Sequence, residues 1–261
     1  MSLTRHDRMQ ALGLSPAWRL RMPVVAETEV EMALAAAPEP VPEPEPLPAM
    51  TLAMPAPAAI ADEAAPTPSA ASPIQTLDWQ ALDAAIKSCN RCDLARSRSQ
   101  AVPGVGDRQA EWLLVGEAPG ANEDRLGEPF VGDAGKLLDA MLAAIGLARG
   151  NNVFIANVLK SRPPGNRDPK PDEVAACLPY LERQIELIQP KLIVALGRFA
   201  AQNLLARDTP IGQLRGQVHR YRGVPLIVTY HPAYLLRNPL DKAKVWEDLL
   251  LARDTLSATK Q

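Results

Sequence analysis

Trp112-Leu-Leu-Val115 runs without a polar break into Gly116-Glu-Ala-Pro-Gly-Ala-Asn-Glu-Asp124, and the reading of this junction decides the fold. A short continuous apolar run, closed by a glycine-bounded loop, suits a strand buried on both faces in a parallel sheet. The pattern recurs at Val153–Ala156, Leu192–Leu196 and Leu226–Val228. Between these runs the apolar period becomes helical. Leu137, Leu138, Met141, Leu142 and Ile145 follow Asp133 as a candidate N-cap and stop before Gly146, while Val174, Cys177, Leu181, Ile185 and Ile188 form a second stripe. Strands alternating with helical crossovers predict a three-layer α/β/α sandwich around a four-stranded, mainly parallel sheet. Its functional site is expected outside the carboxyl ends of the strands.

All of these runs lie in the second part of the chain. Residues 1–76 hold 13 of the 26 prolines, and Pro38 to Pro73 is dominated by alanine, proline and glutamate. Such a composition favours extended chain and cannot bury enough apolar area to offset the entropy of ordering. The expected organisation is a disordered N-terminal extension over 1–76 and one folded domain over 77–261. A short apolar segment around Trp18 is a candidate docking peptide for a partner protein. Residues 1–76 carry 4 basic and 9 acidic side chains, leaving 24 basic and 21 acidic for the remainder, so a net charge of −2 conceals a mildly basic domain. That balance permits nucleic-acid binding without demanding it. No apolar stretch reaches the roughly 18 residues of a membrane span and no signal peptide opens the chain, so a soluble, cytoplasmic protein is expected. Nothing in the sequence asks for more than a monomer.

Three polar segments fall at the expected strand ends. Gly116–Asp124, followed by Gly127-Glu-Pro-Phe130-Val-Gly-Asp133, offers glycines that let backbone amides approach a ligand, with clustered acids able to position water. It lacks the lysine and serine or threonine of a Walker loop, which argues against a nucleotide-handling enzyme. Standing alone, it reads equally as an acidic surface turn. Asn157 closes the second run and precedes Lys160-Ser-Arg-Pro-Pro-Gly-Asn-Arg-Asp168, a basic loop suited to phosphate. The Asn157 amide both donates and accepts, which matches the edge of a base, although an asparagine there also caps turns. The fourth run leads into Tyr230-His231-Pro-Ala-Tyr-Leu-Leu-Arg-Asn238, where a strand-end histidine is held by the next proline.

Together, Gly116-Glu-Ala-Pro-Gly, Pro129-Phe-Val-Gly, Asn157 before Arg162-Pro-Pro-Gly-Asn-Arg, and His231-Pro-Ala resemble the family 4 uracil-DNA glycosylases. The resemblance implies extrusion of a uracil nucleotide from DNA and hydrolysis of its N-glycosidic bond, leaving an abasic site. It implies that Phe130 stacks on the base, Asn157 reads its N3 and O4 edge, and Glu123 helps close the pocket where thymine carries a methyl group, with Gly116 allowing close approach. It gives His231 the uracil O2; the water-positioning aspartate of family 1 glycosylases falls on Ala118 here, which leaves Glu117 as the nearest substitute, with backbone groups of the loop able to share the task. Arg162, Asn166 and Arg167 are expected on DNA phosphates. Leu235, Leu236 and Arg237 are expected at the gap left by the flipped base, unless they form a plain turn before a helix.

The same resemblance implies a [4Fe-4S] cluster. Cys89, Cys92 and Cys177 match three ligand positions, and Ser161 stands at the fourth, where the family usually has cysteine. Serine oxygen is a harder donor than such a cluster prefers. Three outcomes stay open: a four-iron cluster with serine or solvent at one iron, a three-iron form, or three ordinary thiols. Cys177 also lies on an apolar helical stripe, where a buried thiol packs well. A non-catalytic uracil-DNA binding protein with a degenerate metal site is the alternative function.

Overall fold

The computed structural model describes residues 73–259, so the expectations for the proline-rich extension and for the segment around Trp18 lie outside the described residues. Strand β1 is Val105–Gly106, β2 Trp112–Gly116, β3 Val153–Asn157, β4 Leu192–Leu196, β5 Val218–Tyr221 and β6 Val224–Thr229. They form one sheet in the order β1-β3-β2-β4-β6-β5. The four apolar runs are its four parallel neighbours, β3, β2, β4 and β6.

The expected count of four becomes six, because β1 and β5 add antiparallel edges. Neither edge shows an apolar run. β1 has two residues, and Val-His-Arg-Tyr of β5 is largely exposed, joined to β6 by a turn in which Arg222 and Gly223 both have positive φ, at 46° and 88°. Two such residues in succession match the twist of a tight hairpin.

Every residue of β2, β3 and β4 is buried, and successive side chains enter opposite layers. Leu113, Val115, Phe154, Ala156, Ile193 and Ala195 face the stripe of α5 (Pro171–Ile188) and the small residues of α6 (Arg198–Leu205). Trp112, Leu114, Ile155 and Val194 face α4 (Asp133–Ala144), α8 (Pro232–Arg237) and α9 (Lys242–Ala258). Helix α1 (Trp79–Lys87) adds an outer contact through Leu82 and Ile86, which pack with Ile74, Ala101 and Tyr180. Ile74 is thus part of the packed structure, three residues before Leu77. The remaining helices are short: α2 Leu94–Ser97, α3 Ala121–Leu126 and α7 Ile211–Leu214. Among the described residues, no helix is long and apolar enough to cross a membrane.

One helix start differs from expectation. Gly132 caps α4, and Asp133 is its first residue, its carboxylate turned to Lys136 at 2.8 Å instead of to the backbone. The stop at Gly146 holds, with φ of 79°. From β2 the chain crosses to the α4 face, whereas from β3 and β4 it crosses to the α5 and α6 face. The sheet therefore opens a crevice at the carboxyl end of β2.

Candidate active site

A cavity of about 440 Å³ occupies that crevice, walled by the loops after β2, β3 and β6. Glu117, Glu123, Phe130, Asn157, Asn166 and His231, distant in sequence, all line it. Gly116 and Asn157 are register partners at the last position of β2 and β3. This pairing puts the asparagine at the cavity floor, 2% exposed, and its Oδ1 is the one buried side-chain atom without a hydrogen-bond partner among the described residues. Buried acceptors are paired in the great majority of cases, so an orphan lining a cavity marks a place for a ligand donor. A Cβ on Gly116 would overlap that Oδ1 and lie 2.7 Å from Phe130 Cζ. Only glycine lets the two side chains approach over this point.

Phe130 is 6% exposed and holds φ at 55°, a left-handed conformation unfavourable for an aromatic residue. The surroundings account for its persistence. Arg149 donates to the carbonyls of Pro129 and Phe130, both at 2.8 Å, and pairs with Asp139 at 3.0 Å. Glu123 accepts from the amides of Val131 at 2.9 Å, Gly132 at 3.2 Å and Gly120 at 3.1 Å. Beneath, a Cβ on Gly135 would overlap the Phe130 carbonyl. Glu123 therefore lines the cavity with a carboxylate already committed to tying two loops together. Arg149 had no motif to announce it, since a basic residue after a helix ordinarily reads as solvated surface.

Lys160 was also hidden. Within a basic loop it resembles a phosphate contact, yet it is 1% exposed. Its Nζ donates to the Asn157 carbonyl at 2.8 Å and to Gln184 Oε1 at 2.7 Å, holding the asparagine from behind. Burial pushes its pKa down to about 7.

His231 ends the β6 connection and caps α8. The Ala233 amide donates to its Nδ1 at 3.1 Å, which in a neutral ring leaves the proton on Nε2. Burial, aided by the Arg237 charge, pushes the imidazole pKa down to about 4. The ring lies against Phe130 with centroids 5.4 Å apart. Gly197, at φ 95°, leaves the necessary room, because a Cβ there would be 3.0 Å from His231 Cβ. Glu117 also lines the cavity, and burial and then the Asp168 charge raise its carboxyl pKa, while Arg198 opposes them.

The rim divides the remaining candidates. Arg237 and Arg167 line the opening, whereas Arg162 stands outside the lining and donates to Asn166 Oδ1 at 2.8 Å. Arg167 is paired with the buried Glu173 at 2.5 Å, which ties the rim to the start of α5. Leu235 must be withdrawn from the DNA-facing set. It is fully buried in the layer containing α4 and α9, while Leu236 is 49% and Leu240 93% exposed. Two adjacent leucines gave no way to tell which face of the short helix turned inward, and Leu240 lay beyond the motif.

Cys177 is buried on the α5 stripe, Cys92 packs on the same layer, and Cys89 packs beside the Ile74 and Leu82 cluster. Among the described residues, no group of three histidine, cysteine, aspartate or glutamate side chains is placed to hold a metal ion. Ser161 is 2% exposed, and its hydroxyl accepts a hydrogen bond from Arg98 Nη1 at 2.8 Å. Three thiols and a committed serine do not make the four-thiolate set that a [4Fe-4S] cluster typically takes.

Residues 103–250 match the uracil DNA glycosylase superfamily. The chain is 53% identical over 162 residues to a type-4 uracil-DNA glycosylase of Archaeoglobus fulgidus, covering 59% of this chain and 81% of that protein. It is 44% identical over 183 residues to the type-4 uracil-DNA glycosylase of Pyrobaculum aerophilum, covering 67% of this chain and 93% of the relative. With the Sulfurisphaera tokodaii type-4 uracil-DNA glycosylase the identity is 47% over 185 residues, covering 67% and 84%.

Proposed function

The chain belongs to the uracil-DNA glycosylase superfamily and, within it, to the type-4 enzymes, and from that premise we propose that it hydrolyses the bond between uracil and deoxyribose in DNA as a monofunctional glycosylase of base excision repair. The observation that carries the reading is the unpartnered Asn157 Oδ1 on the floor of a cavity whose wall presents a neutral His231.

A base inside a duplex is out of reach, so the nucleotide must be extruded, at a cost of a few kcal/mol. Uracil supplies what the floor lacks: its N3–H donates to Asn157 Oδ1, and its O4 accepts from the side-chain amide. Cytosine has no hydrogen on N3 and carries a donor at position 4, so with the amide kept in this orientation it leaves Oδ1 buried and unpaired, a loss of about 1–3 kcal/mol. Phe130 provides the face on which the base lies. Glu123 sets the shape of the wall beside the base by fastening the loops on either side, so its part in excluding a methyl group is indirect.

As the glycosidic bond breaks, negative charge grows on the base and positive charge on the sugar. The Nε2–H of His231 faces the first at uracil O2, acting as a fixed neutral donor that needs no proton transfer. Glu117, also in the cavity lining, holds the attacking water, takes its proton and opposes the sugar's positive charge; its raised pKa makes it a better base than a free carboxylate. Asn166, Arg167 and Arg237 hold phosphates at the rim, and Arg162, outside the lining and bonded to Asn166, meets them beyond it. The exposed Leu236 and Leu240 take the gap that Leu235 cannot reach. The cluster implied by the family resemblance would sit at Cys89, Cys92 and Cys177 with Ser161 at the fourth position. That donor set does not fit four-thiolate ligation, and no step of the excision depends on it.

The test is an oligonucleotide with one uracil, incubated with the protein and then cleaved by alkali. Strand breakage at the uracil, with free uracil released and activity lowered about 10² to 10³-fold by His231→Ala, is the expected result. Retention of uracil-containing DNA without release of the base would overturn it in favour of a binding protein.

A further inference from the structure

Arg98 joins two segments that a metal cluster at Cys89, Cys92, Cys177 and Ser161 would staple together. Its Nη2 donates to the carbonyls of Cys89 at 2.7 Å and Lys87 at 3.0 Å, at the end of α1 and the start of the Cys89–Cys92 turn. Its Nη1 donates to Ser161 Oγ, 63 residues further along, in the loop after β3. The residues that follow Arg98 are fastened in the same direction. The Ser99 amide donates to the Asp124 carboxylate at 3.0 Å, Gln100 donates to the Arg125 carbonyl at 2.5 Å, and the Val102 amide donates to the Lys160 carbonyl at 2.8 Å. The stretch from Lys87 to Val102 is therefore tied by hydrogen bonds to α3 and to the loop after β3.

We propose that the Arg98–Ser161 bridge stands in place of the fourth cluster ligand, so that this protein folds with Cys89, Cys92 and Cys177 as reduced thiols and without iron. The three thiols lie near enough to act on one another electrostatically, yet each also packs against apolar side chains, Cys177 and Cys92 on the α5 layer and Cys89 beside Ile74 and Leu82. Soft iron–sulfur corners select thiolates over oxygen, and the one oxygen offered here is already bound to a guanidinium. This inference concerns how the fold is held and is separable from the excision reading.

The decisive experiment compares the wild type with Ser161→Cys after anaerobic reconstitution with ferrous iron and sulfide, measuring iron and acid-labile sulfide per chain. The wild type should retain well below one iron per chain and stay colourless, whereas Ser161→Cys, with four thiols, should take up about four. Equal loading of both proteins overturns the proposal. So does failure of both to load, because the missing thiolate would then not be what decides. A melting curve tests the bridge itself: Arg98→Met should lower the midpoint of the iron-free wild type by about 5 °C, and Ser161→Ala, which removes one of three bonds, by less. An unchanged midpoint for Arg98→Met would show that the bridge holds nothing. Uracil release by the same iron-free preparation is recorded separately, so a failed excision reading leaves the iron result standing.

Discussion

A histidine whose pKa is pushed down to about 4 is neutral throughout the pH range in which a free imidazole, near 6.5, would gain its charge. Two consequences have definite signs. Between about pH 6.5 and 4 the unfolded chain binds a proton at this residue that the native state refuses, so His231 makes stability fall as the pH drops through that window. Catalysis should show no inflection near 6.5 from this residue, because the donor Nε2–H stays in place. A pH profile of kcat/KM tests this: a limb near 6.5 that disappears in His231→Ala would contradict a neutral donor. Gly116 is the second residue on which the chemistry hangs. Its replacement by alanine pushes a methyl group into Asn157 Oδ1 and the Phe130 ring. Since a displacement of about 1 Å at a reacting site costs about 10²-fold, Gly116→Ala should lower kcat/KM by that order. At this scale the sequence was legible where a polar residue ended an apolar strand, as at Asn157 and His231. It was silent where a charge turned inward, as at Lys160 and Arg149, because burial of a cation depends on partners the local sequence does not contain.

Among the elements, the loop from Pro129 to Gly132 combines a left-handed backbone at Phe130 with hydrogen bonds that hold it in place. Phe130 keeps its left-handed backbone because Arg149 binds two successive carbonyls from one side while Glu123 binds two amides from the other. Arg149→Met removes the first grip without touching the cavity wall. The base-stacking face should then wander, so KM for uracil-containing DNA and the inhibition constant for free uracil should both rise about 10-fold, with kcat changed less. Arg149→Lys, which keeps the charge but not the paired donors, should restore only part of the loss. Equal effects on kcat and on kcat/KM would move Arg149 from positioning the loop to acting in the transition state. The motif Pro129-Phe-Val-Gly identified this loop through family resemblance, but only the packed structure shows why the phenylalanine stays put. Helix α8 gives the reverse lesson: its motif was visible, yet the burial of Leu235 depends on how the helix meets α4, which a six-residue element cannot reveal by periodicity.

For the molecule as a whole, the four parallel strands and their crossover helices could be read from apolar runs because both faces of the sheet are buried. The starting point of the domain was harder, since Pro73–Thr76 has the composition of what precedes it. Ile74 nonetheless packs with Leu82, Ile86 and Tyr180, and Arg183 donates to the Leu77 carbonyl at 2.8 Å. A chain beginning at Pro73 should melt with the full-length protein, whereas one beginning at Asp78 loses both contacts. Removing a buried isoleucine side chain costs about 2–5 kcal/mol, so its midpoint should fall by at least about 5 °C. The same truncation separates packing from charge. Residues 1–72 carry 4 basic and 9 acidic groups, so starting at Pro73 changes the formal net charge from −2 to +3. Electrostatic attraction to DNA is screened beyond about 10 Å at 0.1 M salt. The Pro73 chain should therefore bind DNA more tightly than the full chain at low ionic strength and converge with it as salt is raised. A difference that persists at high salt would mean that the N-terminal residues act on the DNA site by contact instead of by charge.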